Sequence, residues 1–361
     1  PRPGINVDLA RYEAPELHRA LADLILLDVH WLRQRFPWRE IEPTPGDYQW
    51  ERWDVIVEAV QRHDLALIAV LDAPPAWALP GERLPLPCDS VCDAEAYASF
   101  VGAFAARYGS AVDAYQVWDE PNLAAHWGGQ YVDPVDYLAL LREATTRIHD
   151  ADPGAPVIAA ALAPTLETGP LNLNEAAFLR QLVESGGRPY LDVVAVQPYG
   201  FAASPDATQE PLSFPRAAAL RRELVRLGLA DTPVWATAWG WTALPEGWDG
   251  QPSPWPAVDE EQQAAYSVQA LELARREWPW MGPMIDSTYQ PDRAANLVGT
   301  HKVGDDPRWG FSLVDAQGAP GRTWQHLAAY NTAPQPLHTG VYHAGPDTAQ
   351  FEGAWRFAEA G

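Results

Sequence analysis

The chain has 361 residues, 47% of them hydrophobic, which is enough for one large barrel or two ordinary domains with a sizeable core. Its formal net charge of −23 argues against nucleic acid and anionic membrane surfaces as partners, because both would repel an acidic protein. No stretch of the sequence is long and apolar enough to insert into a membrane.

Short apolar runs of β-type residues alternate with longer amphipathic segments along the chain. The apolar runs predict strands over residues 4–8, 29–36, 65–72, 114–118, 156–161, 192–197, 233–237 and 282–287. The amphipathic segments predict helices over residues 15–26, 53–63, 94–108, 134–150, 175–185, 216–227, 259–277 and 322–330. Continuous apolar runs are typical of parallel strands that are covered on both faces.

Eight successive βα units predict an α/β fold, a (β/α)8 TIM barrel with elaborated βα loops. A doubly wound sheet is the structural rival, and it would normally carry a glycine-rich first turn at a nucleotide site. The turn after the first predicted strand, VDLARYEAP, lacks such glycines. We therefore expect no nucleotide and no other cofactor.

The predicted barrel occupies residues 1–333. Residues 334–361 open with proline-rich sequence and break the βα pattern, which predicts a linker or the start of a truncated β-rich domain. A tail packed under the barrel is an equally consistent interpretation.

The two cysteines, Cys88 and Cys92, lie together in a proline-rich loop, LPLPCDSVCD. Their spacing predicts a local disulfide, which forms in oxidising compartments. We therefore expect a secreted or extracytoplasmic protein. Without a paired His or further Cys the two thiols make a poor metal site, so we expect no bound metal.

Function in a TIM barrel is expected at the carboxyl ends of the strands. The fourth predicted strand ends in VWDEPN, which places Glu120 there, and the seventh continues into VWATAWGW at residues 234–241. The 17 Trp and 13 Tyr suit a sugar-binding groove, since flat rings stack on the C–H faces of sugars. Further candidate substrate-binding residues at or near strand ends are Arg35, Trp38, Asp72, Asp119, Asn122, Gln197, Tyr199, Trp239, Trp241 and Tyr289.

This constellation resembles the clan A retaining glycoside hydrolases, in which an acid/base Glu ends the fourth strand within Asn-Glu-Pro and a nucleophilic Glu ends the seventh. The likeness extends to FPWREIEPTPGDYQWERWD, PPAWA and GFSLVDAQGAPGRTWQHL, and it covers about residues 4–330. The branch that looks nearest contains β-xylosidase-like, α-L-iduronidase-like and bacterial cellulase-like proteins.

The resemblance implies a monomeric enzyme that cleaves an oligosaccharide or polysaccharide by double displacement, with two carboxyl groups about 5–5.5 Å apart. It implies that Glu120 is the acid/base and that position 238 belongs to the nucleophile. Tyr199 would donate a hydrogen bond to that nucleophile, and Arg35 or Arg33 would lie beneath it. Trp38, Trp239 and Trp241 would shape the sugar subsite, although a core role fits each of them equally well alone.

The sequence departs from the family pattern at two positions. Asp119 stands where the family has Asn, and an ionised Asp can only accept hydrogen bonds from a sugar. Either the contact to the sugar 2-hydroxyl is rearranged or Asp119 shares a proton with a neighbouring group. Ala238 stands where the family has its nucleophilic Glu, and among nearby carboxylates only Glu246 or Asp286 could replace it, with unusual geometry. We interpret the chain as an inactive variant in which a parent Glu was substituted; the alternative is a natural pseudoenzyme that binds glycans without cleaving them.

Overall fold

The computed structural model describes residues 2–79, 91–245, 247–291 and 306–333. Its strands are β1 (Pro3–Val7), β2 (Trp31–Pro37), β3 (Ala66–Asp72), β4 (Ala114–Asp119), β5 (Val157–Ala161), β6 (Val194–Val196), β7 (Val234–Trp239) and β8 (Met281–Asp286). Its helices are α1 (Ala14–Leu26), α2 (Trp38–Ile41), α3 (Glu51–Arg62), α4 (Ala94–Tyr108), α5 (Pro134–Ala151), α6 (Glu175–Leu182), α7 (Arg216–Arg226), α8 (Glu260–Glu277) and α9 (Arg322–Thr332).

The eight strands are parallel and form a nearly closed barrel. Their order is β5-β4-β3-β2-β1-β8-β7-β6. The outer strands of this series approach each other through a parallel bridge between Ile158 and Val193, where the Ala159 N–H donates to the Val193 carbonyl at 3.1 Å. Helices lie between successive strands. The predicted (β/α)8 barrel is therefore confirmed, and the doubly wound alternative is wrong.

Most strand and helix bounds differ by one to three residues from the predicted ones, and two of the differences have a clear local cause. Strand β7 extends through position 238 to Trp239, and its pairing with β8 shifts register between Ala236 and Trp239. Helix α6 ends at Leu182, three residues early, in a wider turn where Gly186 has φ of 98°. That backbone conformation is cheap only for glycine.

The barrel interior changes from apolar to polar along its axis. Trp31 and Trp235, from the beginnings of β2 and β7, meet edge to face at 5.1 Å. A Cβ on Gly282 would lie 2.4 Å from the Trp235 ring, so a small residue is needed beside it. Nearer the carboxyl ends of the strands, the buried Arg33 and Gln116 replace apolar side chains. We call that end, where the carboxyl ends of the strands lie, the barrel mouth.

Four of the described helices, α4, α5, α6 and α8, begin at residues whose side chains cap them. The Asp93 carboxylate accepts the N–H groups of Glu95 and Ala96 at the start of α4. At the start of α8, Asp259 and Gln262 form a reciprocal capping box. None of the helices within the described ranges has the length and apolar character needed to cross a membrane.

Several expectations concern residues outside the described ranges. Cys88, Glu246 and residues 334–361 all lie there, so the disulfide, the substitute nucleophile at position 246 and the second domain stay predictions. The extracytoplasmic location and the monomeric state also stay predictions.

Candidate active site

Glu120 lies at the barrel mouth, directly after β4. Its N–H donates to the carbonyl of Ala161 on β5 at 2.9 Å, and the Trp118 indole donates to the carbonyl of His126 at 2.9 Å. Trp118 and Glu120 both adopt positive φ, 69° and 51°. For residues other than glycine this costs on the order of 1–2 kcal/mol each, and such conformations concentrate at functional sites. The turn thus holds a carboxylate in a backbone geometry that the chain would otherwise avoid.

The Glu120 carboxyl group has a raised pKa. Burial raises it first and the negative charge of Asp119 second, whereas His126, Arg33 and the amide of Gln197 act in the opposite direction. The side chain is 18% exposed, and its Oε2 atom lies 3.1 Å from Nδ1 of His126. A raised pKa keeps more of the carboxyl group protonated near neutral pH, which is what a proton donor requires.

The Asp119 carboxylate is paired with Arg33 inside the barrel. Arg33 Nη2 donates to Asp119 Oδ1 at 2.7 Å, and Gln116 donates to the same oxygen at 3.0 Å. Arg33 also donates to Gln116 Oε1 at 2.9 Å and to Asn6 Oδ1 at 2.7 Å. Asp119 therefore has the charge partner that a buried carboxylate needs. It presents an acceptor, rather than the amide donor of the family pattern, at this place.

The two arginines of β2 occupy different depths. Arg33 is buried and belongs to the Asp119 network, whereas the Arg35 side chain is half exposed and pairs with the buried Asp72 at 2.5 Å. Since Arg33 also acts electrostatically on both Glu120 and Tyr199, it is the arginine closer to the candidate chemistry.

Ala238 lies in β7, across the barrel from β4. Trp239 packs behind the strand against Phe214, with ring centroids 6.3 Å apart. Ala238 directly precedes Trp239, the last residue of β7, so it lies at the carboxyl end of the strand, where the pairing with β8 changes register. The position expected for a nucleophile thus lies at the barrel mouth, with a buried methyl group in place of a carboxylate.

Tyr199 and Gln197 follow β6 into the same region. Burial and the negative charges of Glu120 and Asp119 raise the pKa of the Tyr199 phenol, so it remains a hydrogen-bond donor at neutral pH. Within the described part of the chain, the buried Oε1 atom of Gln197 has no hydrogen-bond partner, and neither has Oγ1 of Thr237 beside Ala238. Buried polar atoms of this kind call for an explanation, and a ligand at the mouth would supply their partners.

Three predicted sugar-binding tryptophans belong to the core instead. Trp38, Trp239 and Trp241 are at most 2% exposed. Trp38 stacks on Phe100 and donates to Glu42 at 2.7 Å. The Trp241 indole donates to the Ala203 carbonyl at 2.7 Å. Because their faces are covered by protein, the predicted aromatic sugar subsite does not form from these residues.

Asn122 and Tyr289 also have structural positions. The fully buried Asn122 accepts the Ala163 N–H and donates to the carbonyls of Ala163 and Leu173, which ties two βα loops together. Tyr289 is buried against Trp324. Neither side chain is available to a substrate, so the structure contradicts the prediction that Asn122 and Tyr289 bind one.

Asp286 and His126 are two further titratable residues near the mouth. Burial raises the pKa of Asp286, at the end of β8, to about 8, against the lowering effect of the Thr288 and Ser287 N–H groups. A neutral carboxyl group is a poor substitute nucleophile. His126, the partner of Glu120, was missed by the sequence analysis because a single histidine six residues after a candidate acid follows no helical or strand period.

Comparisons with known proteins were informative only for structure. No protein-family model and no curated protein matches the chain. A family 39 glycoside hydrolase from the gut symbiont Bacteroides cellulosilyticus WH2 superimposes with a TM-score of 0.70 at 20% identity, covering 91% of this chain and 63% of that one. The structural neighbours of this chain include glycoside hydrolases of families 39 and 5.

Two further solved structures also resemble the barrel at low sequence identity. The GH39 enzyme from Xanthomonas axonopodis pv. citri gives a TM-score of 0.63 at 18% identity, covering 91% of this chain and 65% of that one. The GH5_18 protein from Streptomyces cattleya, solved in complex with GlcNAc, gives 0.68 at 14% identity, covering 94% and 82%. The chain spans less than two thirds of the length of the two family 39 structures. Likeness at these identities establishes the shared barrel fold.

Proposed function

We propose that this chain has the substrate-binding barrel of a glycoside hydrolase, with Glu120 in the acid/base position and an oligosaccharide or polysaccharide as ligand. The observation that carries the proposal is a carboxyl group of raised pKa at the end of β4, surrounded by Asp119, Arg33 and Tyr199. The glycosidase neighbours of the barrel support it.

We propose a retaining double displacement for a chain that carries a carboxylate at position 238, because β4 and β7 both end at the barrel mouth. Glu120 would donate its proton to the leaving oxygen while that carboxylate attacks the anomeric carbon. Glu120 would then take a proton from the water that releases the sugar. The Tyr199 hydroxyl and the positive charge of Arg33 would keep the attacking group ionised.

In the chain as it stands, the methyl group of Ala238 cannot attack a sugar. We infer that the covalent step is lost, whereas the polar groups that hold a glycan remain. The same alanine favours a second candidate function, a carbohydrate-binding barrel that never cleaves its ligand.

The change Ala238→Glu separates these candidates. In the first, hydrolysis of aryl glycosides or of a glycan in a broad panel appears, and a further Glu120→Gln change abolishes it. Ala238→Gln is the matched control, because it adds the same volume without a nucleophilic carboxylate. Absence of turnover by a folded Ala238→Glu protein on every substrate would favour the binding barrel.

Rescue by a small anion gives an independent test on the unmodified chain. Azide that fits beside Ala238 would attack the anomeric carbon of an activated aryl glycoside, release the phenol and give a glycosyl azide of inverted configuration. A binding barrel yields no azide adduct. Product analysis by mass spectrometry and NMR distinguishes the two outcomes.

A further inference from the structure

An open cleft lies beside the candidate site on the same face of the barrel. It has a volume of about 610 Å³ and is lined by Leu166 and by residues 201–203, 210–212 and 254–256. These segments belong to the loops that follow β5, β6 and β7. Nine of its ten lining residues are apolar, and Glu210 is the exception.

The size and lining of the cleft favour an apolar occupant. Small-molecule sites typically enclose roughly 300–1,000 Å³, so the cleft has room for an aromatic or fused ring system. The hydroxyl groups of a sugar need hydrogen-bond partners wherever they leave water. The aromatic rings of the cleft could stack on a sugar, but with one charged side chain in its lining the cleft offers few side-chain partners for sugar hydroxyl groups, which favours an apolar ring.

One wall of the cleft, formed by residues 201–203, is held in a defined position. Phe201 has φ of 50°, a strained conformation for an aromatic residue. The Ala203 N–H donates to the Gly200 carbonyl at 3.0 Å, and the buried Trp241 indole fixes the Ala203 carbonyl. A Cβ on Gly200 would overlap the Trp241 ring, so the loop lies directly on that tryptophan. A wall built in this way needs little ordering when a ligand binds.

The opposite part of the lining is equally anchored. The Trp255 N–H donates to Oγ of Ser253 at 3.1 Å, and that hydroxyl donates to the Trp255 carbonyl at 2.8 Å. The Trp255 ring meets Phe311 edge to face at 5.4 Å. Leu166 completes the rim with 53% of its surface exposed. Exposed apolar groups on fixed supports mark binding surfaces.

The cleft adjoins the surroundings of Glu120 through contacts of its wall with Tyr199. Phe311 also contacts Tyr199, with ring centroids 5.6 Å apart, and Tyr199 lies 6.1 Å from the Phe201 ring. Tyr199 in turn lies within the electrostatic influence of Glu120 and Asp119. A ligand whose sugar occupies the mouth would have to pass the Tyr199 ring to reach the cleft.

We propose that this cleft binds the apolar aglycone of a glycoside, an aryl or comparable apolar ring attached to the sugar held at the mouth, with Phe201 and Trp255 as its main contacts. The inference rests on the proposed function, in that a sugar is held at the mouth, and replaces the oligosaccharide or polysaccharide ligand by a glycoside with an apolar leaving group.

Calorimetry on the unmodified chain tests the inference without catalysis. The ligands are methyl, phenyl and 2-naphthyl glycosides of glucose, galactose, mannose and xylose, together with the matching oligosaccharides. We expect affinity to rise at least tenfold from the methyl to the naphthyl glycoside of the preferred sugar. Trp255→Ala removes that gain and leaves the methyl glycoside unaffected, and Phe201→Ala provides a second, independent variant.

Trp280→Ala is the matched control, since Trp280 is another partly exposed tryptophan, stacked on Trp278 just before β8 and thus at the opposite end of the barrel. It leaves the aglycone gain intact. Equal affinity for methyl and naphthyl glycosides overturns the inference and leaves the proposed function standing. If affinity instead rises with oligosaccharide length and Trp255→Ala removes that rise, the cleft is a sugar subsite and the inference is overturned. A third outcome separates the two proposals: the chain binds free 2-naphthol, loses that binding in Trp255→Ala, and binds no methyl glycoside or oligosaccharide. This outcome supports an apolar cleft and contradicts the proposed function.

Discussion

Arg33 and Asp119 form an ion pair at 2.7 Å inside the barrel, where their side chains are 6% and 15% exposed. Each charge depends on the other, because an unpaired buried charge is unfavourable. The pair also places one negative and one positive charge near Glu120, which act on its pKa in opposite directions.

Replacement of Arg33 by Met therefore leaves the Asp119 carboxylate without its cationic partner. We expect a loss of about 3–5 kcal/mol in the free energy of unfolding, the usual result of breaking a buried pair from one side. Urea denaturation monitored by tryptophan fluorescence measures it. Arg62→Met, which breaks an exposed pair with Glu58, is the control and changes stability by less than about 1 kcal/mol. Equal effects of the two changes would contradict the buried pairing.

His126→Ala raises the pKa of Glu120 further. The imidazole lies 3.1 Å from the carboxylate and acts to lower the pKa of Glu120, so its removal favours the protonated acid. In an Ala238→Glu background, the alkaline limb of the pH–rate profile shifts to higher pH. His149→Ala, which removes a histidine paired with Asp192, serves as the control and leaves the profile unchanged. A shift to lower pH in His126→Ala would contradict this electrostatic role.

Asp286 makes stability depend on pH in an unusual direction for a carboxyl group. Its pKa in the folded state is about 8, raised from 3.8, so the folded chain holds a proton there that the unfolded chain loses. This contribution is fully present below pH 3.8 and is lost as the pH rises through about 8. Asp286→Asn removes this decline, on the order of a few kcal/mol between pH 4 and 8. Denaturation curves of both proteins at several pH values measure the difference, and parallel pH dependences would contradict the raised pKa.

Gly200→Ala tests the contact on which the Phe201 loop depends. The added Cβ would overlap the Trp241 ring, which cannot move because it is packed on Phe214 and Tyr266. We expect a loss of about 1–3 kcal/mol or more, as for other overpacked cores. Gly154→Ala is the matched control, since a Cβ there meets nothing within 4 Å. Comparable melting temperatures for the two variants would show that the loop does not lie on Trp241.

The barrel could be predicted from sequence because its signal is local and repeated. Each apolar run independently indicates a strand and each amphipathic segment a helix. Few folds are compatible with eight such strand–helix repeats. The position of Glu120 followed from the same pattern, since a strand end in such a barrel faces the mouth.

The orientation of side chains at the strand ends could not be predicted in the same way. The positive φ of Trp118 and the register shifts of β7 break the alternation that sequence reasoning assumes. As a result, Asp119 meets the buried Arg33, and Trp239 packs behind its strand instead of lining the mouth. The role of Asn122 depends on carbonyls 41 and 51 residues away, which no local pattern reveals.

The Asn6 side chain has a consequence for the order of folding. Its amide donates to the carbonyls of Thr237 and Asp286, 231 and 280 residues further along the chain, and its oxygen accepts from Arg33. Strand β1 pairs with β8 on one side and β2 on the other. Contacts of such sequence separation form slowly, because a long loop must close first. Strand β1, which precedes every other strand of the barrel along the chain, is therefore among the last to reach its native place, and the polar base of the candidate site is completed only when the eighth strand has been synthesised.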